Sequence, residues 1–176
     1  MSYVSTESLE KLMKMLEVGG FKIDREALPC TDDVELGLER EFDCALYSAI
    51  EEENEEATMA LYGGSIGEDG EYLDIVKEMF GLVSSEIKAG NFKNSYDETN
   101  EHEKVDFSIG DEQFSWTFSF DYFDENKLVK SFTSVISGLS SIRVVKVLDE
   151  DCTYLMSTPK DAAIYLHENF QIFEIC

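Results

Sequence analysis

"KVDFSIGDEQFSWTFSFD", residues 104–121, alternates apolar and polar side chains on both sides of a single glycine. Side chains of a strand point to opposite faces in turn. Val105, Phe107 and Ile109 therefore share one face. Phe114, Trp116, Phe118 and Phe120 share another, opposite Ser115, Thr117, Ser119 and Asp121. Gly110 and Asp111 lie between the two runs, and such a pair suits the two-residue turn of a hairpin. This stretch commits the second half of the chain to antiparallel sheet.

Downstream, "DENKLVKSFTSVISGL" reads as a helix capped by Asp124 and stopped near Gly138. "SIRVVKVL" and "CTYLMS" read as a second hairpin across "DED". "TPKDAAIYLHENF" reads as a helix with Thr158 as cap and Pro159 at its first position, and "QIFEI" as a closing strand. The predicted order is ββαββαβ. Upstream, Leu9, Leu12, Met13 and Leu16 form a helical stripe ended by Gly19 and Gly20. "YGGSIGEDG" is a loop, "EYLDIVKEMFGLVSSEIKAG" a helix with Leu73, Val76, Phe80, Val83 and Ile87 on one face, and "NFKNSYDETNEHEK" a polar loop. The expectation is a single α+β domain over 1–176. Its 1–100 part is mostly helical and acidic, and its 101–176 part is rich in sheet.

One segment supports two geometries. In "TDDVELGLEREFDCALYSAIEEE", Val34, Leu38, Phe42, Leu46 and Ile50 recur every four residues, as on a helix. The same residues, with Leu36 and Cys44, also occupy even positions, as on a strand. Abundant Glu, Leu and Ala favour the helix. Either way one face is apolar and the other acidic.

The net charge of −24 argues against DNA, RNA and anionic membranes as ligands, since all are polyanions. Residues 31–75 hold fifteen acids and one base, Arg40, so −14 of that charge lies in a quarter of the chain. Solubility alone does not require such concentration. A surface for a cationic partner uses it, and its candidate residues are Asp32, Asp33, Glu35, Glu39, Asp43, Glu51, Glu52, Glu53, Glu55 and Glu56. The plain alternative is a solvated acidic face.

No other pattern carries chemistry. The aromatic run at 114–120 has acidic neighbours where a base-stacking platform has basic ones, so it reads as a buried strand face. Cys30, Cys44, Cys152 and Cys176 form no zinc-type pair, and neither His102 nor His167 sits in a Cys–His motif. Four reduced thiols behind "MSYVSTESLEKLMK", which has no signal peptide, fit a cytoplasmic protein. No apolar run approaches the ~20 residues of a membrane span. No G-x-S-x-G, P-loop or EF-hand occurs, so no catalytic residue, metal or cofactor is expected.

An acidic, cytosolic α+β chain with these features resembles the immunity proteins of bacterial toxin systems, including contact-dependent inhibition and other polymorphic toxins. The likeness runs from "TDDVELGLEREFDCALYSAIEEENEEA" to "FSWTFSFDYF". It implies a non-catalytic inhibitor that binds a cognate basic toxin domain, often a nuclease. Two other readings stand beside it. One is a DNA mimic that occupies DNA-binding proteins, and the other an enzyme with a scattered metal–carboxylate site.

Overall fold

A computed structural model describes residues 4–30, 39–61, 71–119, 123–148 and 153–176. The helices are α1 (Thr6–Val18), α2 (Glu39–Glu51), α3 (Glu71–Gly81), α4 (Glu125–Ile136) and α5 (Lys160–Asn169). The strands are β1 (Thr58–Leu61), β2 (Ala89–Asp97), β3 (His102–Ile109), β4 (Glu112–Ser119), β5 (Ile142–Leu148), β6 (Thr153–Pro159) and β7 (Phe173–Ile175). They form two antiparallel sheets, ordered β1-β6-β5-β7 and β2-β3-β4. The fold class is α+β. From His102 onward the elements follow ββαββαβ, but β1 and β2 precede them and the strands divide between two sheets.

The chain packs as two compact units. One joins Met1–Ala60 to Ile142–Cys176, and the other is Leu61–Ser141. The boundary that charge and pattern place near residue 100 falls inside the β2–β3 connection.

In the first unit, α1 presents its stripe of Leu9, Leu12, Met13 and Leu16 to the core. Ser5 caps it, accepting the Ser8 N–H at 3.1 Å. Phe42, Leu46 and Ile50 of α2 join this core, which settles 39–51 as helix; residues 31–38 lie outside the described part. Val145, Val147 and Met156 supply the sheet side. Thr158 is buried within β6 and its hydroxyl makes no hydrogen bond among the described residues, so it does not cap α5. Pro159 takes the N-cap place, with no side-chain cap.

In the second unit, the β3–β4 hairpin pairs Ile109 with Glu112 across Gly110 and Asp111. Gly110 has φ +58°, a conformation glycine adopts without steric cost. Val105, Phe107, Phe114, Trp116 and Phe118 line the covered face, while Phe120 lies outside the described residues. Phe80 of α3 sits among Phe92, Phe107, Trp116 and Phe132, with ring centroids 4.9–6.1 Å away. Tyr72 stacks on Phe118 at 4.4 Å.

Three expectations are corrected here. The polar stretch 91–104 is largely strand, because Phe92, Asn94 and Tyr96 alternate inward against Val105 and Glu103 of β3. Asn94 obscures the pattern. It belongs on that face because its Nδ2 donates to Tyr96 Oη at 2.8 Å and Glu103 Oε1 at 3.3 Å. The helix of 71–90 stops at Gly81, and Val83 and Ile87 are buried from the turns that lead into β2. The helical first part also contains a strand, β1.

The β2–β3 turn is organised by Asp97. Its carboxylate accepts the Asn100 side chain at 2.7 Å and the Asn100 and Thr99 N–H groups at 3.2 and 3.0 Å. These bonds, the Asn100 side chain foremost, hold Asp97 below the usual carboxylate range. A carboxylate depressed on folding stabilises fully above its unfolded value, about 3.9, and the effect is lost as pH falls through the lower folded value. The Thr99 and Asn100 amide resonances should therefore titrate with a midpoint below about 3.9. A midpoint at or above that value would show that the turn does not rest on this carboxylate.

Candidate functional site

The acidic residues separate by role. Asp32, Asp33 and Glu35 lie outside the described residues. Glu39, half-buried, and Glu41, exposed, stand in the first turn of α2, where negative charge suits the helix dipole. Asp43 is corrected as a partner-binding residue. It is fully buried, and its Oδ2 accepts the Gln171 N–H at 2.6 Å, fixing the chain between α5 and β7. A carboxylate so enclosed cannot meet an incoming surface.

The other five glutamates gather at the opposite end of α2. Glu51 is half-buried in the last turn; Glu52 and Glu53 are exposed just beyond it. Glu55 and Glu56 are exposed in the single 3₁₀ turn Glu55–Ala57. The last turn of α2 holds no basic residue. Its partial negative charge adds to that of the glutamates instead of offsetting it. Among the described residues none of these five pairs with a base, whereas Glu17, Asp74 and Asp106 pair with Arg25, Lys77 and Lys104 at 2.8–2.9 Å. Arg40, the sole base of 39–61, donates to Leu148 O at 3.4 Å.

Asn54, in the middle of "EEENEE", fixes this turn. It is buried, its Oδ1 accepts the Lys22 N–H at 2.9 Å, and its Nδ2 donates to Lys22 O and Ile50 O at 2.8 and 2.5 Å. The glutamates thus stand on anchored backbone. Ser48, Glu51, Glu52, Glu55, Thr58 and Met59 line an open depression of about 500 Å³. Glu53 and Glu56 do not line it. Ser48 and Glu51 also border a small cavity of about 70 Å³, whose other walls include Cys44, Tyr47, Val147, Tyr154 and Ile172. Tyr47 Oη donates to Glu51 Oε1 at 3.1 Å, and the Tyr47 and Tyr154 rings are 5.1 Å apart.

The sequence reading missed Tyr47, Asn54 and Tyr154. Asn54 alone carried a signal, as the one uncharged residue inside the run.

The remaining candidates are scattered. Cys44 is a thiol of α2, Cys30 and Cys176 are thiols outside the helices and strands, and Cys152 lies outside the described residues. His102 opens β3 in the second unit; the His167 Nδ1–H donates to Phe173 O at 3.1 Å. Among the described residues no three His, Cys, Asp or Glu side chains are grouped to hold a metal ion, and no helix is long and apolar enough to cross a membrane. No protein-family model, curated protein or solved structure matches the chain.

Proposed function

We propose that the protein is a non-catalytic immunity protein that acts in the cytosol. It binds a basic toxin domain through the glutamate-lined depression at the end of α2. One observation carries this reading: Glu51, Glu52 and Glu55, none of them paired with a base among the described residues, line a concave surface at a turn anchored by Asn54. Like charges held together raise the energy of the free protein, and that repulsion turns into attraction when a cation approaches. Electrostatic steering of this kind raises association rates by roughly 10–10³-fold, which suits an inhibitor that must reach a toxic enzyme early.

The test begins with capture of partners from the native cell, followed by stopped-flow association. A single basic toxin domain is the expected catch. The triple variant Glu52→Gln, Glu53→Gln, Glu56→Gln should then associate about tenfold more slowly at low salt and respond less to added salt. Unchanged kinetics would remove the acidic turn from the interface. Capture of many DNA-binding proteins, released together by salt, would favour DNA mimicry instead.

A further inference from the structure

The geometry points to a specific occupant for the small cavity beside the depression: an arginine side chain of the basic partner, with Glu51 as counter-ion and Tyr154 as stacking surface. This inference rests on the reading of the chain as a binder of a basic protein domain.

Size comes first. A cavity of about 70 Å³ is the size of a side-chain headgroup. Its lining comes second. Val147 and Ile172 are apolar, the Tyr47 ring is 4% exposed, and the Tyr154 ring is half-buried. Such walls give an ammonium the same counter-ion but no flat partner for its shape. They suit a planar, weakly hydrated guanidinium, which lies flat on an aromatic ring. The charge comes third. The Tyr47 hydroxyl holds one oxygen of Glu51, so the carboxylate is oriented before anything binds. No basic side chain reaches Glu51 among the described residues. A guanidinium there gains a charge-assisted hydrogen bond from a preset acceptor. Glu52 and Glu55, in the wider depression, exclude anions and receive the neighbouring cations of the same partner.

The test needs no toxin. The ¹⁵N-labelled full chain is titrated with N-acetyl-arginine amide and, in parallel, N-acetyl-lysine amide. Arginine should produce saturable shifts at Tyr47, Ser48, Glu51 and Tyr154. Lysine should bind about three- to fivefold more weakly. Glu51→Gln and Tyr154→Leu should each weaken arginine binding by about the same factor. Both variants change side chains that are partly exposed, and dispersed spectra verify that they fold. Glu112→Gln, exposed at the start of β4, should leave it unchanged. Equal binding of arginine and lysine, unsaturable shifts spread over all the acidic residues, or full affinity in Glu51→Gln would each overturn the proposal. The two readings fail separately. A captured toxin indifferent to Glu51→Gln and Tyr154→Leu removes the arginine seat and leaves the immunity reading. A saturable arginine site with a non-toxin partner does the reverse.

Discussion

Phe80→Ala should lower the stability of the Leu61–Ser141 unit by about 4 kcal/mol. Phe80 is 4% exposed and touches four aromatic rings drawn from β2, β3, β4 and α4. Truncation removes the transfer free energy of a ring and leaves a void that stiff aromatic neighbours cannot close. Domains hold only about 5–15 kcal/mol in total, so the loss is severe. The readout is selective. Trp116 is the only tryptophan of the chain, and its ring lies 6.1 Å from that of Phe80. Its fluorescence during urea unfolding therefore reports this unit. A loss under about 1 kcal/mol would mean that the rings repack around the gap.

Asp43→Ala should cost about 3 kcal/mol, although Asp43 stands in the same acidic segment as the proposed contact residues. The substitution removes a fully buried carboxylate and with it the acceptor of the Gln171 N–H, 2.6 Å away in a part-buried bond. Hydrogen bonds to charged groups are the stronger ones, and the lost carboxylate also leaves a void in the core beside α2. Glu52→Gln, by contrast, should change stability by less than about 0.5 kcal/mol. Far-UV circular dichroism under urea compares the two. Similar small losses for both would show that Asp43 does not hold the α5–β7 connection. Asp43→Asn retains an acceptor and should fall between them.

This contrast marks how far the sequence could be read. Fifteen acids against one base in 31–75 were visible at once. Their division into a structural carboxylate and surface carboxylates was not, because it depends on Gln171, which folding brings to α2 from the far end of the chain. Asn54 sits in a run that reads as solvated, yet Lys22's backbone draws it inside. Tyr154 reaches the candidate site only through the pairing of β6 beside β5.

For the fold, the hairpin of 104–121 was legible because its alternation and its glycine agree on one register. The stripe of α1 was legible for the same reason. β1 was not, since four residues carry no usable period and its partner β6 is remote. β2 was hidden by an inward-facing asparagine. α3 was overextended because Val83 and Ile87 continue the helical spacing by coincidence, while the turns after Gly81 bury them.

The division of the first unit across the chain has a consequence for biosynthesis. A ribosome adding about 5–20 residues per second spends roughly 4–16 s on residues 61–141. During that interval α1, α2 and β1 have already been made, and β5, β6 and β7, which complete their core, have not. The second unit is continuous and can close while the first still waits. The apolar side of α2 then stands uncovered between the glutamates at its two ends, whose like charge opposes the approach of another such chain. The acidic segment then bears on the solubility of the unfinished chain as well as on the surface of the folded one.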